Sequence, residues 1–132
     1  MKLKNVLIAV TDIERSKLFY KTLFGLEAVT DFGENVILTE GLVLQQKHSW
    51  QSLIEKNITS GGNDGELYFE ENDMDGFVQK LDNCQFRIEY LARCMDHTCD
   101  RKLVRIYDPD YHIIEVAESL EHAIRRRSNR SR

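Results

Sequence analysis

The 132-residue chain is poor in the residues that mark several protein classes. It has one proline and seven glycines, too few for a collagen-like repeat or a proline- or glycine-rich linker. Its three cysteines, Cys84, Cys94 and Cys99, are odd in number and form no CxxC pair. That count predicts no disulfide framework, free thiols in the segment 94–99 and a reducing, cytoplasmic setting. No apolar run approaches the roughly 18 residues that a membrane span needs, and the start Met1-Lys2-Leu3-Lys4-Asn5 leads into no signal-like stretch. Neither a membrane protein nor a secreted one is expected. G-x-S-x-G, P-loop and dinucleotide-binding patterns are missing too, so hydrolase, kinase and dehydrogenase readings have no support.

Positive charge is scarce outside the C-terminus. The net charge is −4, but five of the 18 basic residues fall in the last eight positions, so residues 1–124 carry 13 basic against 22 acidic side chains. An acidic body argues against nucleic acid, because phosphate binding needs a basic face. Arg125, Arg126, Arg127, Arg130 and Arg132 suit the negative pole of a helix dipole and read as a helix end with a solvated extension. Leu120, Ala123 and Ile124 supply that helix with an apolar side.

What is present is a pattern of elements that occurs twice. Leu3, Val6, Ile8 and Val10 alternate as a strand, Asp12 with Glu14 opens a helix, and Gly25 is placed to close it. Three short strands follow, at 26–30, 35–39 and 42–46, with turn chemistry between them. Trp50, Leu53, Ile54 and Ile58 fit one face of a short helix, for which packing on the sheet is the plainer role and a flap over a ligand the alternative. The breaker run 60–65 then divides the chain. Beyond it come a strand at 66–69, a helix opened by Asn72-Asp73 with Met74, Phe77, Val78 and Leu81 on its apolar face, and strands at 86–91, 103–107 and 113–116. Asp12 and Asp73 lie 61 residues apart, as do Asn5 and Glu66, which reads as an internal duplication.

Two segments resemble a known family. Residues 6–26, from Val6 through Asp12, Tyr20 and Gly25 to Leu26, resemble the opening motif of the vicinal oxygen chelate superfamily, which contains glyoxalases, bleomycin-resistance proteins and extradiol dioxygenases. Residues 107–116, with Asp108-Pro109-Asp110 and Glu115, are similar to its closing signature. The resemblance implies an α+β fold of two βαβββ modules forming a curved mixed sheet around a cleft, the glyoxalase/bleomycin-resistance fold. A single domain is then expected over 1–118, with modules at about 1–60 and 64–118, followed by a C-terminal helix and basic tail over 119–132. A homodimer is implied as well.

In metal-binding members one ligand comes from the first and one from the fourth strand of each module. Carried onto this chain, the positions are Asn5, Gln45, Glu66 and Glu115. Asn5 and Glu66 stand where the family commonly has His, which leaves only oxygen donors. Such a set suits Mn²⁺ or Mg²⁺ better than a tight zinc site, with Ni²⁺ and Zn²⁺ as further candidates and, since Asn and Gln are weak ligands, an empty site as the alternative. Glu115 would be a ligand and also the base that moves a proton beside a carbonyl.

The resemblance leaves two activities open. One is a metal-dependent lyase or isomerase acting on a small carbonyl compound, and the other a non-catalytic protein that binds a small molecule, with Trp50, Tyr68 and His48 as contacts. Each residue also has a plainer role: Glu115 and Glu66 as solvated strand positions, Gln45 as a hydrogen-bonding wall residue, Trp50 as packing. Cys94, His97 and Cys99 lie within six residues, but a structural zinc site needs four ligands and no second cluster accompanies them.

Overall fold

The structure, a computed structural model, describes residues 1–130. The end of the basic tail, Arg132, lies outside the described residues. The chain divides into two compact units, Met1–Gly62 and Asn63–Arg132.

In the first unit β1 (Val6–Val10) leads to α1 (Ile13–Phe24), then β2 (Ala28–Asp31), β3 (Asn35–Leu38), β4 (Leu42–Gln46) and α2 (Lys47–Ile54). The strand order is β1-β4-β3-β2, with β1 parallel to β4 and the other neighbours antiparallel. Asp12 caps α1 by accepting from the Arg15 N–H at 3.1 Å, and Gly25 closes it in the left-handed region at φ 67°. Ile13, Phe19, Tyr20 and Leu23 form its buried side, and Val10, Val36, Leu38, Leu42 and Leu44 are buried on the strands.

The second unit repeats the order with β5 (Glu66–Glu70), α3 (Met74–Asn83), β6 (Tyr90–Cys94), β7 (Leu103–Tyr107) and β8 (Ile113–Ala117). Its sheet runs β5-β8-β7-β6, again with the first and last strands parallel. Asp73 caps α3 through the Gly76 N–H at 3.0 Å, so the two aspartates 61 residues apart perform the same task. Met74, Phe77, Val78 and Leu81 are buried, as are Val104, Ile106, Ile114 and Val116. α4 (Leu120–Arg130) is docked rather than loose: Ala123 is fully buried, Ser119 Oγ accepts from the His122 N–H, and Arg126 donates to the Cys99 carbonyl. The fold is thus α+β, two βαβββ units with open four-stranded mixed sheets. Among the described residues no helix is long and apolar enough to cross a membrane.

Three expectations are corrected. Cys94 and Cys99 are joined as a disulfide, with their Cα atoms 6.1 Å apart, and Cys84 alone is free. An odd count permits one bridge, and the premise of free thiols on which a cytoplasmic setting rested does not hold for this pair. The strand placed at 86–91 instead occupies Tyr90–Cys94, because β7 pairs its residues back from Cys94↔Leu103 to Tyr90↔Ile106, with an irregularity between Tyr90 and Ala92. Finally, α2 lies against β4 and β1 but buries none of its residues: Leu53 is 72% exposed and Ile54 36%.

Candidate functional site

The chemistry of the second unit gathers on one face of its sheet. Side chains alternate between faces, and Val104, Ile106, Ile114 and Val116 take the buried one. The other carries Tyr68, Glu115 and Arg105 as direct neighbours across three strands, since Tyr68 pairs with Glu115 in β5–β8 and Arg105 with Glu115 in β7–β8. Glu66, two residues before Tyr68, shares that face. Arg105 bridges the acids: one terminal guanidinium nitrogen donates to Glu115 Oε1 in a short contact, and Nε lies 3.5 Å from Glu66 Oε2. The side chains of Arg105 and Glu66 are 37% and 39% exposed and that of Glu115 only 14%, so the pair nearest the sheet is also the better shielded.

Tyr68 is 44% exposed and held at its far end. Its Oη accepts from a terminal nitrogen of Arg101, whose guanidinium carbon lies 6.0 Å from the ring centroid. Arg101 is fixed in turn, with Nε and a terminal nitrogen donating to the Glu118 carbonyl at 3.0 and 2.7 Å. The Glu118 carboxylate is buried, and accepts from the Lys102 N–H at 2.6 Å and from Arg126 Nε at 3.0 Å. Burial pushes this carboxyl upward, but the hydrogen bonds from Arg126 and Lys102 and the Arg126 charge outweigh it and hold the group below its ordinary value. Next to this anchor a cavity of about 360 Å³ is lined by Asp96, His97, Lys102 and Arg126. The thiols that a Cys94–His97–Cys99 zinc site would need are consumed by the disulfide.

At the end of the same sheet, Asp108 organises the turn before β8. Its Oδ1 accepts from the N–H groups of Asp110 and His112, and Oδ2 accepts from His112 Nδ1 at 2.8 Å. Burial lowers the His112 pKa, yet the hydrogen bond and charge of Asp108, with Asp110 behind them, raise it overall.

The first unit places its candidates differently. Asn5 immediately precedes β1, and its side chain lies by Gly41, whose Cβ position is 3.5 Å from Asn5 Oδ1. Gln45 pairs with Ala9, four residues further along, or about 13 Å at ordinary strand rise. The register therefore does not bring Asn5 and Gln45 together. Gln45 is instead tied into the wall, accepting from Asn35 Nδ2 at 2.7 Å and donating to Ser49 Oγ at 2.8 Å. Counting along both ladders, the position that corresponds to Glu115 is Val43, and Arg105 corresponds to Ile37. His48 is exposed on α2 and lines a polar cavity of about 360 Å³ with Gln51, Ser52, Glu55, Lys56 and Asn57. Trp50 is half-buried on the same helix.

Glu66 and Glu115 do converge, but as partners of an arginine. A hard divalent ion takes carboxylate oxygens as ligands, and here one oxygen of each acid already faces a fixed positive charge. Among the described residues of this unit no three His, Cys, Asp or Glu side chains gather to hold a metal ion. The second-unit donors, as arranged, do not fit a metal. Arg105 and Arg101 are the residues that sequence reading missed. Arg105 had a signal, since it alternates with Val104 and Ile106 as Glu115 does with Ile114 and Val116. Arg101, in a loop, had none.

The comparisons with known proteins agree with this architecture. A glyoxalase-like domain model matches residues 3–121. No curated protein matches the sequence. Among solved structures, a protein of unknown function from Agrobacterium tumefaciens str. C58 is 31% identical, with 91% of this chain and 95% of that one covered at a TM-score of 0.73. FosX, a fosfomycin resistance protein from Listeria monocytogenes, is similar at 13% identity, 93% and 98% coverage and TM-score 0.67. A variant of that protein has been solved complexed with Mn(II) and a dihydroxypropylphosphonic acid. A lactoylglutathione lyase from Agrobacterium tumefaciens is 21% identical, with 89% and 93% coverage and TM-score 0.64. With the repeated βαβββ order, the paired aspartate caps and a model match over nearly its whole length, this chain belongs to the glyoxalase-like domain family of the vicinal oxygen chelate superfamily.

Proposed function

We propose that the protein binds a small organic molecule on the open face of its second sheet, without a metal ion at Glu66 and Glu115. The observation that carries this reading is Tyr68: an aromatic ring nearly half exposed, clamped at its hydroxyl by Arg101, and flanked along the sheet by Glu115 and Arg105. A rigidly held aromatic with charged neighbours offers a flat apolar surface for stacking and polar groups at its margin for orientation. Arg101 adds a positive charge that donates to a backbone carbonyl and a phenol. A planar ligand bearing an anionic group meets both. FosX, a fosfomycin resistance protein of the same fold, supports a small-molecule role for this architecture. The alternative, a metal-dependent lyase or isomerase with Glu115 as ligand and base, draws on the family and on FosX with Mn(II). It is the weaker reading, because Arg105 already engages one oxygen of the Glu115 carboxylate and sets a permanent positive charge beside it.

The test is a thermal-shift screen of small planar acids and antibiotics against wild type and Tyr68→Ala, with and without chelator. Ligands that stabilise wild type, keep their effect in chelator and lose it in Tyr68→Ala support the reading. A ligand response abolished by chelator and restored by Mn²⁺ sinks it in favour of the metal-dependent alternative. The protein is also proposed to act as a homodimer, as the family resemblance implies. Sedimentation equilibrium returning the mass of one 15.5 kDa chain at micromolar concentration would end that proposal.

A further inference from the structure

Arg105 is set in place by the ladder, because its Cα is the direct partner of Glu115 on the neighbouring strand. The duplication supplies an internal comparison. At the corresponding positions the first unit has Ile37 for Arg105, Val43 for Glu115 and Asn5 for Glu66, so the two acids and the arginine are present together in one unit and absent together from the other. Two carboxylates on neighbouring strands repel each other unless a positive charge lies between them. A guanidinium is permanently charged, and its spread of donors serves two acceptors at once.

We infer that Arg105 is the resident cation of this face: it holds Glu66 and Glu115 in place and closes their oxygens to divalent metal ions. An incoming ion would have to displace a hydrogen bond to the well-shielded Glu115 and then sit beside an undischarged guanidinium. The protein thus carries in its own sequence a charge that oxygen-donor sites otherwise take from solution. This inference shares with the proposed function the absence of a metal ion at Glu66 and Glu115, but its test uses neither Tyr68 nor an organic ligand, so a failure of ligand stacking and a failure of this inference are read separately.

The test is a Mn²⁺ titration of the full chain after chelator treatment, with free Mn²⁺ read by electron paramagnetic resonance and thermal unfolding followed in parallel. Wild type, Glu115→Gln, Arg105→Ile, Arg105→Gln and Arg105→Ile combined with Glu115→Gln are compared. Isoleucine is the first unit's residue at this position and suits a strand, and glutamine is the second variant should isoleucine unfold the protein. Wild type is expected to bind no stoichiometric Mn²⁺. Each folded Arg105 variant is expected to bind one ion per chain at least about tenfold more tightly, given the size of the repulsion removed. That binding should raise the unfolding temperature and disappear with Glu115→Gln. Wild-type binding that is lost in Glu115→Gln alone overturns the inference, and so do folded Arg105 variants that bind Mn²⁺ no better than wild type. If neither variant folds, wild type against Glu115→Gln decides it: Mn²⁺ binding that depends on Glu115 overturns it, and its absence supports it.

Discussion

The imidazole of His112 is held by a carboxylate with no exposure of its own. Asp108 is fully buried at its side chain, while His112 keeps 28% of its side chain in solvent, so the ring can exchange protons with water. The His112 pKa is raised in the folded protein, against the pull of burial, chiefly by Asp108. A group with a raised folded pKa contributes stability that is fully present below its unfolded value, here 6.5, and that is lost as the pH rises through the folded value. Unfolding temperatures of wild type and His112→Asn should therefore differ most below pH 6.5 and converge above the folded value. The gap at low pH should be about 2 kcal/mol, the usual scale of a hydrogen bond to a charged partner. A gap that widens with rising pH would show that Asp108 is not the governing partner. Glu118 behaves in the opposite sense. Its lowered carboxyl contributes stability above its ordinary value of 4.5, lost as the pH falls through the folded value. Neither role is legible in the sequence, because both depend on partners that only folding supplies.

At the scale of elements, the helix ends were the most legible features and the strand edges the least. Asp12, Asp73 and Gly25 act within a few residues of themselves, so local sequence suffices to find them. The position of β6 depends on its partner β7 and on the Cys94–Cys99 closure, neither of which is local. Glu66, Glu115 and Gln45 come from the family resemblance, with alternation choosing Gln45 over its neighbour. Alternation fixes a face and not a register, and the ladder places Val43, two residues back, opposite the position that corresponds to Tyr68. The α3 cap offers a sharp check on the local logic. A Cβ at Gly76 would run into the Asp73 carboxylate that caps the helix. Alanine normally exceeds glycine in a helix by about 1 kcal/mol. Gly76→Ala should instead come out near neutral, because the carboxylate must swing away and losing the cap, about 1 kcal/mol, offsets the helix gain. In an Asp73→Ala background, where no cap is left to lose, the same change should be stabilising by about 1 kcal/mol. Denaturant unfolding of the four proteins measures this coupling, and additive effects would sink the explanation.

At the scale of the whole molecule, duplication has left one ladder in two chemical versions. The first unit fills the positions of Arg105 and Glu115 with Ile37 and Val43, and Val43 is buried at 5% exposure. The same backbone pairing thus accepts either an apolar pair or an ion pair, which indicates that the charges of the second unit are not needed for its fold. Replacing a shielded ion pair by apolar residues is often close to neutral, whereas removing one partner strands the other. Arg105→Ile alone, in metal-free buffer, should cost about 2 kcal/mol, because Glu115 and Glu66 are left facing each other. Adding Glu115→Val, which copies the first unit at both positions, should recover most of that loss although it removes a further native side chain. A double-mutant cycle by denaturant unfolding gives the coupling directly. If the double variant is less stable than Arg105→Ile, the ion pair is structural and its presence in only one unit reflects folding. If stability returns, Arg105 and Glu115 are kept for what the face binds, and the two units have diverged in function while keeping one architecture.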